Sequence, residues 1–180
     1  MTGLTKLLQA YPKLLSDVYL RGIMKAAQRF ALIIGIFYLT IGILGFIPAL
    51  VSQSGAMPPS IEKLGVVSGF GYLMGLFPIN TPHNIIHLVT GLLGIVASIA
   101  LDSSRLFSGQ LGIYYTTLAV LGLVPVANTF FGLFPLYGAD VFLHGLTGAL
   151  GIYFGFFATP SLLSLFKKEL KEDATSGEVL

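Results

Sequence analysis

Three histidines and one aspartate carry most of the chemistry this chain could perform. His83 and His87 are four residues apart, as are Asp140 and His144, and all four lie in or beside long apolar runs. On a helix that spacing puts both members of a pair on one face. Three imidazoles and a carboxylate are adequate ligands for Zn(II), Cu(II) or Fe(II). His87 and His144, at matching positions of two segments, have the disposition that two axial haem ligands would need. The same groups can instead join helices as a hydrogen-bonded network without any cofactor, with Asp140 orienting an imidazole and Asn80, Asn84, Thr90 and Thr147 in support. They can also pass protons, since imidazole titrates near neutrality. The cofactor-free network is the preferred reading, because His-x-x-x-His alone is a weak signal and no ionisable residue continues a relay past the cluster.

Enzymatic chemistry has little to work with. The chain has no cysteine, which removes thiolate metal sites, iron-sulfur clusters, disulfides and cysteine nucleophiles. There is no second carboxylate in an apolar run for acid/base work, no phosphate-binding loop, and no serine placed with His and Asp. Gly69-x-Gly71 lacks the preceding strand and the ribose-binding acid of a dinucleotide turn. A protein that catalyses no reaction is expected. The net charge of +2 gives no reason to expect nucleic acid as a partner.

The elements that must position these residues are apolar helices. Of the 180 residues 54% are hydrophobic and 10% charged, and mean hydropathy is +0.85, whereas a soluble domain carries roughly a quarter charged residues. Asp, Glu, Lys and Arg are absent from Phe30 to Ile61, Leu64 to Leu101, Leu106 to Ala139 and Val141 to Phe166. About 20 apolar residues cross a bilayer as a helix, and no period of two suggests barrel strands. The spans are therefore placed at residues 30–50, 82–101, 108–126 and 140–160. With the N-terminus inside, all of the ten Lys and Arg except Lys63 fall on the cytoplasmic side, so both termini are expected there. Ser54-Gly55-Ala56 resembles a signal-peptide cleavage site, but the basic segment before the first span is too long for one.

The chain also repeats itself. Gly35-Ile36-Phe37-Tyr38 with Leu44-Gly45-Phe46-Ile47-Pro48 matches Gly112-Ile113-Tyr114-Tyr115 with Leu121-Gly122-Leu123-Val124-Pro125 at one offset. Gly75-Leu76-Phe77-Pro78 and His87-x-x-Thr90-Gly91-x-x-Gly94-Ile95 match Gly132-Leu133-Phe134-Pro135 and His144-x-x-Thr147-Gly148-x-x-Gly151-Ile152 at another. Two tandem hairpins crossing in the same direction predict a four-helix bundle with a pseudo-twofold axis along the membrane normal. Asp140 then takes the place of His83, and His144 that of His87. Thr81-Pro82 reads as a helix start, with Thr81 as N-cap, which brings all four groups to the outward helix ends.

The resulting layout is an amphipathic interfacial helix over 1–28, a first hairpin with a long outward loop over 29–101, a second hairpin over 102–160 and a charged cytoplasmic tail over 161–180. Within the loop, Leu64 to Ile79 is expected to be interfacial or re-entrant, since it is short, rich in Gly and ends in prolines. Gly71-x-x-x-Gly75 and Gly151-x-x-x-Gly155 allow close helix approach. Besides lipid, the expected partners are other membrane subunits or a second copy.

Three stretches together resemble a bacterial four-helix membrane family known only as a domain of unknown function, number four-three-eight-three. They are Gly35-x-x-Tyr38-Leu39-x-x-Gly42-x-Leu44-Gly45-Phe46-Ile47-Pro48, Gly75-Leu76-Phe77-Pro78-Ile79-Asn80-x-x-His83-Asn84-x-x-His87-Leu88 and Ala139-Asp140-x-x-Leu143-His144. The resemblance spans about residues 30–155. It implies four spans in a bacterial plasma or thylakoid membrane and assigns no activity or cofactor. The family more usually has Asn where this chain has Tyr137 or Gly138, and again where it has Val141.

Overall fold

Asn80, rather than Thr81, begins the helix that carries two of the histidines. In the computed structural model, which describes residues 25–53 and 68–158 together with 167, 170 and 171, the Asn80 side chain accepts from the His83 backbone N–H at 3.0 Å. Thr81 and Pro82 occupy the first two helical positions, where proline costs no hydrogen bond. Most of the expected interfacial helix, residues 54–67 of the first loop and most of the C-terminal tail lie outside the described residues.

Four helices form two antiparallel hairpins. In the first, α1 (Ala26–Leu44) runs up to the loop and α2 (Thr81–Ala97) returns. In the second, α3 (Leu101–Gly122) is followed by α4 (Ala139–Ile152), which ends in a π-helical turn at Tyr153–Phe157. Ala26–Leu44 and Ala139–Phe157 are each 19 residues long and apolar enough to cross a membrane, while α2 is apolar but has 17 residues. Helices α1 and α3 begin before the spans placed from hydropathy, because Arg29, Asp102 and Arg105 are accommodated in their first turns.

Glycine sets the spacing within each hairpin. A Cβ on Gly94 would lie 2.8 Å from Gly35 Cα, and one on Gly151 would lie 2.7 Å from Gly112 Cα. Gly91 abuts the Leu39 backbone as Gly148 abuts that of Thr116. These contacts are related by the sequence repeat, and any side chain there would force the helices apart.

The long first loop holds a feature that the interfacial or re-entrant expectation did not include, a three-stranded antiparallel sheet. After a short 3₁₀ turn at Pro48–Leu50, β1 (Val51–Ser52) pairs with β2 (Gly71–Leu73), which pairs with β3 (Phe77–Ile79). Gly71 opens β2 and forms no phosphate-binding loop. The β2–β3 turn places Met74 and Gly75 at φ 53° and 73°. Their counterparts in the second hairpin, Phe131 and Gly132, take φ 57° and 90° within a run of turns, so the local bend is repeated although the sheet is not.

Two apolar clusters sit at different heights. Leu118, Phe134 and Leu136 close the end where α2 and α4 begin. Towards the opposite end, Phe30 stacks on Phe154 with ring centroids 4.7 Å apart, alongside Leu111 and Phe107.

Candidate functional site

His83 and His87 project from the first two turns of α2, and Asp140 and His144 from those of α4. All four meet between the helices and are buried, at 1–2% exposure. One ligand atom from each of His83, His87 and His144 lies within 4.8 Å of the others. The rings of His83 and His87 are 4.4 Å apart between centroids, those of His83 and His144 5.8 Å, and those of His87 and His144 6.3 Å. Asp140 Oδ2 is 3.7 Å from His83 Nε2 and 3.5 Å from His144 Nδ1. The quartet expected from spacing is thus one cluster.

Two tyrosines floor it. Tyr38 lies 5.1 Å from the His87 ring and Tyr115 5.0 Å from the His144 ring, with 4.9 Å between the two tyrosine rings. Tyr38 and Thr147 share a hydrogen bond of 2.8 Å between hairpins. Tyr115 faces Thr90 in the mirrored arrangement, without reaching full hydrogen-bond geometry. Both supporting threonines therefore stand beside the cluster. Above it, the Asn80 amide donates to the Leu133 carbonyl at 2.9 Å and the Asn84 amide to the Gly45 carbonyl at 2.8 Å. Beyond the helix ends, Tyr72 and Tyr137 hydroxyls meet at 3.3 Å, and burial together with this contact pushes the Tyr137 hydroxyl up.

The hydrogen-bonded network expected inside the quartet does not form. Neither nitrogen of His83, His87 or His144 has a hydrogen-bond partner, nor has Asp140 Oδ2. The Pro78 carbonyl lies near His83 but misses bonding geometry. Buried polar groups are nearly always satisfied, so unpartnered nitrogens on three clustered rings need an account. A haem does not supply it, since His83, Tyr38 and Tyr115 pack against the two proposed axial rings and leave no slot for a macrocycle.

Residues 28–157 match the family described as Domain of unknown function (DUF4383). The chain belongs to this family. No match was found among curated proteins or among solved structures. The match to DUF4383 takes in the four helices of the two hairpins, apart from the first two residues of α1, and the whole quartet, and the family's description names no activity for them.

Other buried polar residues in this DUF4383 chain escaped the sequence reading. Arg105, expected in a connecting loop, belongs to α3 and is 1% exposed, with Nη1 3.1 Å from the carboxylate of Asp102. Ser104 bonds the Ala97 and Ala100 carbonyls, and Ser108 bonds the Ser104 carbonyl. Arg105, Ser108, Gly112 and Tyr115 recur at helical spacing, which was the available sign that α3 turns this face inward.

Proposed function

We propose that this chain is a non-catalytic, four-span membrane protein, an accessory or structural subunit of a bacterial plasma- or thylakoid-membrane complex, in which the His/Asp centre is the joint between two hairpins. The observation that carries this reading is an inverted polarity. Asn84, His87, Ser108, Asp140, His144 and Thr147 are buried, whereas Ile33, Leu92, Val96, Ile113, Phe142 and Leu146 face outward. A water-soluble bundle would bury the second set and solvate the first. In lipid the arrangement is the stable one, because polar groups are kept out of hydrocarbon and apolar side chains meet it.

A subunit role agrees with the sealed centre, which offers a substrate no exposed reacting group. An apolar groove of about 540 Å³ lies on the outer face of α1, lined by Ile33, Ile36, Phe37, Leu44, Leu73 and Phe77. A proton relay is the weaker reading, since the Phe30–Phe154 stack and Leu111 set an apolar layer between the centre and the Arg105 end.

The natural absence of cysteine makes topology directly measurable. In intact cells Ser68→Cys should react with a membrane-impermeant maleimide, and Ser103→Cys only after permeabilisation. Equal labelling of both in intact cells would overturn the span assignment. Partners at fixed stoichiometry should accompany the protein out of gently solubilised native membranes, and a monodisperse lone chain would overturn the subunit role.

A further inference from the structure

We propose that His83, His87 and His144 form a site for a divalent transition ion, with Asp140, which stands beside two of the three rings, turning in as the fourth ligand and Zn(II) the best fit. The ion would pin α2 to α4. This rests on the same buried centre as the joint between hairpins, but not on the number of spans or on any partner complex.

Three observations converge. First, one atom from each imidazole lies within 4.8 Å of the other two. Ligands at about 2.0–2.1 Å in a tetrahedron stand about 3.3 Å apart, so an inward movement of roughly 1 Å, within reach of side-chain rotation, brings the three imidazoles to bonding distance, while Asp140, beside His83 and His144 but outside this trio, must swing in to join them. Second, Asp140 Oδ2 stands 3.7 Å and 3.5 Å from His83 Nε2 and His144 Nδ1. Those separations are too long for hydrogen bonds, which run to about 3.2 Å, and close to the edge of a ligand tetrahedron. Third, the imidazole nitrogens and Asp140 Oδ2 are buried without hydrogen-bond partners, and a single ion would satisfy one nitrogen of each ring and the carboxylate together.

Donor chemistry narrows the ion. Imidazole with carboxylate suits Zn(II), Cu(II) and Fe(II), and the lack of thiolates disfavours the softer Cu(I). Zn(II) has no electronic preference against a tetrahedron, and three histidines with one aspartate complete its shell. A site with no open position is structural, as a joint between hairpins requires. A dication beside Asp140 also gives the lone buried carboxylate a counter-ion, and the one net positive charge that remains is spread over the ligands.

The test uses the full-length protein, purified with a histidine-free affinity tag. Elemental analysis should find about one zinc or other first-row ion per chain, and after chelation the protein should take up about one equivalent of Co(II) with tetrahedral d–d absorption that Zn(II) abolishes. His87→Gln and His144→Gln should each reduce bound metal to roughly a tenth or less, and Asp140→Asn should weaken affinity at least about tenfold. Wild-type protein that is folded yet carries no stoichiometric metal and binds neither Co(II) nor Zn(II) saturably would overturn the site, whatever the variants do. Undiminished metal in folded variants would overturn it equally. Maleimide labelling is independent of both results, so the span assignment and the metal site can fail separately.

Discussion

The two hairpins share their packing and differ at their centre. Gly35 against Gly94 is reproduced by Gly112 against Gly151, and Gly91 against Leu39 by Gly148 against Thr116. His87 beside Tyr38 is reproduced by His144 beside Tyr115. Yet the first hairpin places His83 where the second places Asp140, and Asn84 where the second places Val141. Backbone approach is intolerant of change, so both copies keep their glycines, while polar positions can diverge once only one copy need supply each group. The difference at the first pair makes the centre three imidazoles and an anion rather than four like donors. At the second pair, Asn84 bonds the Gly45 carbonyl, whereas Val141 simply packs near Gly122.

If packing is truly shared, equivalent insults should cost the same. Gly35→Leu and Gly112→Leu each push a side chain into the backbone of the returning helix, at Ile95 and Ile152 respectively. Each should destabilise the purified protein by about 3 kcal/mol in denaturant unfolding, the upper end for overpacking. A difference of more than about 1 kcal/mol between them would show that the helix contacts are not equivalent.

The divergence at the centre is tested by exchanging it. His83→Asp sets two carboxylates beside each other, and Asp140→His removes the only anion from a cluster of imidazoles. Each single change should cost roughly 2–3 kcal/mol. The double exchange restores the composition of the quartet and should recover at least about half of the summed loss. Full recovery is not expected, because His83 also packs against Phe134, 5.2 Å away between rings, and that contact goes with the imidazole. Strictly additive losses would mean that the two positions do not interact.

Much of this was legible in the chain. Charge-free gaps locate four apolar segments, and the repeat pairs His87 with His144 and His83 with Asp140. What the sequence could not convey has physical causes. Asn80 and Thr81 are both good caps, and only the backbone geometry shows that the Asn80 side chain reaches the His83 N–H. Strands of two or three residues are too short to display a period of two, so the loop sheet was invisible. Charge counts against a span, so the sequence places Arg105 in a loop, yet α3 extends past it and covers it. Nor does spacing show how far α2 stands from α4, which decides whether three imidazoles form a network or converge on one point.

The smallest effect concerns the tyrosines, where the repeat is close but incomplete. Tyr38 bonds Thr147 across the hairpins at 2.8 Å, while Tyr115 faces Thr90 without a completed bond. Removing the Tyr38 hydroxyl leaves the buried Thr147 oxygen without that partner and should cost about 1 kcal/mol, as interhelical hydrogen bonds in membranes do. Tyr115→Phe removes a hydroxyl that contributes less, so about half that loss or less is expected, and it should come without change in the aromatic contact to His144. Unfolding midpoints of the two variants, measured side by side in one detergent, decide the matter. Equal losses would mean that the Tyr115–Thr90 bond forms in the working protein and that the hairpins are joined by a reciprocal pair. A loss confined to Tyr38→Phe would mean that divergence has reached the floor of the centre as well as its walls.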